Sequence, residues 1–159
     1  MTYLLDVNVL IALMDSSHIE HNRAHEWFDA IGRHSWATSP MTENGALRIL
    51  SHPNYPNSPG SPAVIAQMLQ EFFTLSGHFF WSDDVSLLDP RLIDTSRLLA
   101  ATQITDSYLL ALAVAHEGQL ATFDRRLIPD AVHNGTKGLH RIASAFPLPD
   151  FPHATISQA

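Results

Sequence analysis

The sequence predicts an α/β domain: a three-layer sandwich with a central, mainly parallel sheet of four to five strands and helices on both faces. Three observations predict it. Short apolar runs alternate with segments of helical periodicity along most of the chain, as successive β-α-β units require. The first apolar run, Leu4-Leu5 followed by Val7, Val9, Leu10, Ile11 and Leu13, leaves little polar face, as expected of a strand covered on both sides. Four acids, Asp6, Glu43, Asp106 and Asp124, each stand where an apolar segment meets a turn or a helix. In parallel sheets, ligands gather at such carboxyl ends of strands.

The elements follow in order. Residues 3–5 read as a central strand and 7–13 as the helix it runs into. Residues 20–31 carry Ala24, Trp27, Phe28 and Ile31 at helical spacing and end at Gly32, a helix with a glycine stop. Ser35-Trp36-Ala37-Thr38 is a short second strand. Pro40-Met41-Thr42 opens a helix over 42–50 with Ala46, Leu47, Ile49 and Leu50 inward, capped by Thr42 or Ser39. Residues 52–62 hold four prolines and a glycine, which precludes helix or strand. Ser61-Pro62 then reads as a cap and first-turn proline. The following helix, 62–76, buries Val64, Ile65, Met68, Leu69, Phe72 and Phe73. Phe79-Phe80-Trp81 is a third strand, and Asp89-Pro90 begins a helix through about Leu99. Residues 105–117, lined by Leu109, Leu110, Leu112, Ala113 and Ala115 and stopped at Gly118, form the strongest helix. Residues 119–123 are a fourth strand and 139–142 a fifth. One domain over 1–146 results. The tail 147–159, with three prolines and few large apolar groups, is expected to be loosely ordered.

Composition narrows the function classes. With 159 residues, 45% hydrophobic and 16% charged, the chain suits a single globular domain. No apolar run reaches the ~18 residues of a membrane span. The first residues carry no basic n-region, and Asp6 interrupts the apolar stretch, so a signal peptide is not expected. There is no cysteine, hence no disulfide, thiolate site or Cys nucleophile. A cytoplasmic setting is the simplest expectation, and the sequon Asn134-Gly135-Thr136 then reads as a turn. A formal charge of −7 argues against coating nucleic acid by bulk attraction. It leaves room for an enzyme that acts on nucleic acid, because a cation would neutralise acids in a site.

Four acids in one pocket repel each other and stay ionised together only if a cation joins them. An all-oxygen donor set favours Mg²⁺ or Mn²⁺. Two such ions about 3.5–4 Å apart activate a water and stabilise the leaving oxygen of an in-line phosphoryl displacement. Asp6, deepest in the sheet, is the best metal ligand, joined by Asp106. Glu43 and Asp124 support them. Asn8 offers an amide two residues from Asp6, and Thr105 and Thr122 offer hydroxyls at the rim. Arg48, Arg125 and Arg126 lie near the acids in sequence and are candidate phosphate contacts; surface arginines in turns and ion pairs read the same way.

The series Leu5-Asp6-Val7-Asn8-Val9-Leu10, Thr42-Glu43, Thr105-Asp106-Ser107-Tyr108-Leu109-Leu110-Ala111 and Ala121-Thr122-Phe123-Asp124 resembles a PIN domain. Within that group it is similar to VapC-type toxins of bacterial toxin–antitoxin pairs. The resemblance spans about residues 2–145. It implies a PIN-like fold and a Mg²⁺- or Mn²⁺-dependent single-strand endoribonuclease that dimerises and is inhibited by a small antitoxin. It also implies that Asp6, Glu43, Asp106 and Asp124 are the acidic quartet, with Asp6 and Asp106 the core ligands.

Other readings stay open beside it. His18, His21 and His25 share one helix face and suit either a solvated face or a zinc site. His52 and Tyr55 are either ordinary loop residues or a base-stacking pair. Trp27, Phe28, Phe72 and Phe73 are core or dimer contacts. Ser107 lacks the Gly-x-Ser-x-Gly elbow of a triad nucleophile. A metal-dependent phosphohydrolase working through an aspartyl-phosphate would want a second acid where Asn8 stands. A non-catalytic α/β binding module of the receiver type would want a lysine at a late strand end, where only Lys137 is available.

Overall fold

In the computed structural model, which describes residues 1–143, five strands form one parallel sheet in the order β3-β2-β1-β4-β5. The strands are β1 (Tyr3–Leu5), β2 (Trp36–Thr38), β3 (His78–Phe80), β4 (Gln119–Thr122) and β5 (Leu139–Arg141). The chain moves outward from β1 to β3, then returns to place β4 on the other side of β1. That reversal opens a crevice beyond the carboxyl ends of β1 and β4, the usual ligand position in such sheets. The expected boundary at residue 146 and the Pro-rich tail lie outside the described residues.

Five helices connect the strands: α1 (Val7–Met14), α2 (His21–Ala30), α3 (Pro40–Leu50), α4 (Pro62–Phe72) and α5 (Ile104–Ala115). Side-chain alternation along each strand builds two cores. Leu5, Trp36 and Ala121 pack with the buried sides of α1, α2, α3 and α4. Leu4, Ala37 and Leu120 pack with Leu109, Leu110 and Leu112 of α5 on the opposite face. Trp36 is fully buried and meets Phe28 and Phe72 at 5.3 and 5.1 Å between ring centres. Aromatic pairs at such spacing add to the area they bury.

Most predicted elements form within a residue or two of their expected ends. Three differ. The helix expected over about 89–99 is instead a series of turns with a short 3-10 segment at Thr95–Arg97. There, Asp89 accepts bonds from the Arg91 backbone and guanidinium, and Asp94 accepts from Ser96 N–H and hydroxyl. Such local side-chain bonds compete with a helix. Ile93 is drawn into the core by an antiparallel bridge to Val132. The helix expected to reach residue 76 stops at Phe72, and the chain turns through Gly77 at φ 85° into β3, a conformation glycine adopts without penalty. Val64, expected inward, is 44% exposed at the first turn of α4.

The histidine face resolves into structure. His21 Nδ1 lies 2.7 Å from Ala12 O and His25 Nε2 lies 2.9 Å from Leu13 O. Both rings therefore donate to the last carbonyls of α1, groups that a helix end leaves without partners. The zinc reading has no such set to use, and the face is half-buried rather than solvated. Tyr55 is likewise committed: its hydroxyl donates to buried Asp15 and pins the Pro-rich loop to the end of α1. Asn134 adopts φ 61° within a turn, as expected for that segment.

Candidate active site

Asp6 follows the last residue of β1 and precedes the first of α1, so the sheet centre delivers it to the crevice. Its side chain is only 6% exposed and makes no cap bond to its own helix. Thr122, the last residue of β4, donates its hydroxyl to Asp6 Oδ2 at 2.6 Å. The same hydroxyl oxygen accepts the Asp124 N–H at 3.0 Å. One threonine thus ties two of the acids to a neighbouring strand. Asp106 and Glu43 both sit in helix first turns, of α5 and α3 respectively.

The electrostatics tie three of the four acids together. Burial pushes the Asp6 carboxyl up to about 6; the Thr122 hydroxyl offsets part of this, and the charges of Asp106 and Asp124 push it further up. Burial also raises Asp106, with the Asp124 charge adding to it. No lysine, arginine or histidine among the described residues forms an ion pair with any of the three. Glu43 has a partner of its own: its Oε1 accepts the hydroxyl of Thr38, at the end of β2, at 2.7 Å.

Two cavities meet at Asp106. One, of about 670 Å³, is lined by Asp6, Asn8, Arg48, Asp83 and Thr105 among others. The second, of about 500 Å³, holds Asp124 and Arg126 beside Gln103, Leu99 and Ile128. Asn8, Thr105 and Arg48 therefore line the same cavity as Asp6 and Asp106. Arg126 faces the second cavity, while Arg125 lines neither. Asp83 was not singled out by sequence reasoning. It accepts the Met41 N–H at 3.0 Å at the start of α3, and no local pattern marks it because this partner lies 42 residues away in sequence. His78 was missed for the same reason, since its partner Thr38 lies 40 residues away.

The residues suit a hard divalent ion by type and by charge. All donors in the trio are carboxylate oxygens, and among the described residues no cationic side chain pairs with them to relieve their repulsion. Among the described residues, no group of three or more His, Asp or Glu side chains is arranged to enclose an ion as it stands. Asp6 and Asp106 do line one cavity together, and a Mg²⁺-like ion, which keeps several waters, takes only one or two carboxylates directly.

Comparison with known proteins agrees with this geometry. The PIN domain family matches residues 3–131. Ribonuclease VapC44 of Mycobacterium tuberculosis is 47% identical over 137 residues, covering 86% of this chain and 96% of its own. Ribonuclease VapC39 of the same species is 40% identical over 131 residues, covering 82% and 94%. Ribonuclease VapC38 is 41% identical over 121 residues, covering 76% and 84%. Among solved structures, VapBC2 from Rickettsia felis, bound to a DNA fragment from its promoter, aligns over 89% of this chain and 98% of its own. That alignment has a TM-score of 0.50 at 11% identity, a likeness of fold. The chain belongs to the PIN-domain family and, within it, to the VapC ribonucleases.

Proposed function

We propose that this chain is a single-strand endoribonuclease, the toxin of a toxin–antitoxin pair, and that it depends on Mg²⁺ or Mn²⁺. The observation that carries the reading is the trio Asp6, Asp106 and Asp124, mutually repelling and, among the described residues, with no cationic side chain paired to it, at the switch point of a parallel sheet. The ribonuclease names of its relatives point the same way. Asp6 and Asp106 would hold the ion, with Glu43 and Asp124 supporting. A bound ion supplies the positive charge that an in-line displacement at a phosphodiester needs.

The chain's own residues do the rest. Thr122 fixes the Asp6 carboxylate and the Asp124 backbone in one arrangement, so little reorganisation is needed when substrate arrives. Arg48 in one cavity and Arg126 in the other flank Asp106. A single strand crossing Asp106 would place successive phosphates near each arginine. Arg125, exposed in the same turn, adds charge to that approach. Asn8 and Thr105 offer an amide and a hydroxyl at the rim.

The proposed partners are a small antitoxin and a second copy of the chain, in the cytoplasm where such RNA is found. Leu99 and Ile128, 82% and 50% exposed beside the second cavity, supply apolar area that a protein partner would cover. No helix of the described residues is long and apolar enough to cross a membrane. The test is cleavage of a single-stranded RNA by purified protein with Mn²⁺, with EDTA, and with Asp106→Asn. Cleavage that survives EDTA or Asp106→Asn sinks the proposal.

A further inference from the structure

Thr38 ends β2, is fully buried, and holds Glu43 from below. Its hydroxyl has one proton. Glu43 as a carboxylate only accepts, so that proton lies on the 2.7 Å bond to Glu43 Oε1. The same hydroxyl oxygen stands 2.8 Å from His78 Nε2. With the hydroxyl proton committed to Glu43, His78 must donate, and its Nε2 carries a hydrogen. The three side chains form a directed chain: His78 Nε2–H to Thr38 O–H to the Glu43 carboxylate. Each donor polarises the next, which strengthens both bonds beyond an isolated pair.

His78 is itself fixed. It lies on the edge strand β3, in register with Trp36. Its ring stacks on Phe73 at 4.7 Å and 14° between planes, and packs against Trp36 at 4.4 Å. Burial lowers its basicity, so the neutral ring is favoured near neutral pH, and the neutral ring suffices as donor. A phenylalanine would satisfy the aromatic cluster as well as a histidine does. What the imidazole adds is one donor, and its acceptor is the atom that orients Glu43.

We propose that His78 is a positioning residue for the nuclease site, acting through Thr38 to fix the Glu43 carboxylate. The inference rests on the proposed role of Glu43 as a supporting group at the ion. Oε1 is held by Thr38, which leaves Oε2 as the oxygen that would serve the ion or its water shell. Outer partners that aim a ligand are worth about 10- to 100-fold in metal affinity or activity.

The experiment is a mutant cycle on the full chain, read by Mn²⁺ calorimetry without RNA and by RNA-cleavage kinetics. His78→Phe keeps the stack and removes the donor. It should weaken Mn²⁺ binding and lower kcat about 10- to 100-fold while KM for RNA changes little. His78→Gln places an amide N–H near the position of Nε2 and should recover most of the loss. Thr38→Val cuts the chain without touching the aromatic cluster and should match His78→Phe, whereas Thr38→Ser should not. In a Glu43→Gln background, His78→Phe should add nothing further. Wild-type Mn²⁺ affinity and kcat in His78→Phe would overturn the proposal. So would an undiminished effect of His78→Phe in the Glu43→Gln background, which marks a purely structural role. Full Mn²⁺ binding and activity in Glu43→Gln alone would overturn it too, by removing Glu43 from the site. Loss of cleavage in Asp106→Asn would then still uphold the nuclease reading.

Discussion

Replacing Asp6 with asparagine should make the metal-free protein more stable, even though it removes a residue at the centre of the site. Asp6 is 6% exposed, and its carboxyl is raised from 3.8 to about 6, chiefly by burial. At 1.36 kcal/mol per pKa unit, holding this group ionised at pH 7 costs the folded state about 3 kcal/mol. The sign follows from proton linkage. The folded form binds more protons than the unfolded one between pH 3.8 and about 6, so wild-type stability falls as pH rises through that window and levels off above it. The Asp6→Asn side chain would carry no charge, and its amide oxygen can still accept the Thr122 hydroxyl. That amide resembles the protonated acid, so any offset from the new N–H groups is independent of pH. The assay is urea unfolding of both proteins in EDTA, from pH 4 to pH 7. Asp6→Asn should gain on wild type by up to about 3 kcal/mol across the window. A difference that stays flat with pH, or one that grows toward low pH, would refute the reasoning.

The other predictions probe the same arrangement. Mn²⁺ should raise wild-type unfolding stability, by about 2.7 kcal/mol at a hundredfold excess over its Kd, and should raise Asp6→Asn far less; thermal melts with and without EDTA read this directly. Thr122→Val leaves the buried Asp6 Oδ2 without its donor and should cost about 1–3 kcal/mol, with the Asp6 carboxyl rising further in an NMR titration. Tyr55→Phe removes the donor to buried Asp15 and should cost about 1–3 kcal/mol; limited proteolysis should then cut within 52–62 sooner, with RNA cleavage retained. Trp36→Ala empties the centre of the aromatic cluster and should cost about 3–5 kcal/mol in urea.

Much of the fold was legible because local chemistry and global position agreed. The run Leu4-Leu5 read as a covered strand broken off by Asp6, and β1 does end at Leu5 with a buried Asp6 next to it. Ser39 and Ser61 stand at helix starts before prolines, and both helices form there. The segment 89–99 misled because Asp89-Pro90 looked like a helix start while Asp89 and Asp94 offered the backbone other bonds. Val64 misled because periodicity fixes a helix face without saying how far along the helix the core extends.

The sequence by itself determined the alternation of strands and helices, the placing of four acids at element junctions, and the family to which those motifs correspond. Only the tertiary structure decided which acids repel one another, and that Glu43 is held by a threonine at the end of β2. It also decided that the imidazoles of His21 and His25 close a helix end while that of His78 meets Thr38. The physical reason is range. Strand and helix patterns are written in neighbours within a few residues. Charge coupling and hydrogen-bond chains depend on distances between atoms such as those of Asp6 and Thr122, which lie 116 positions apart and meet only when the sheet assembles.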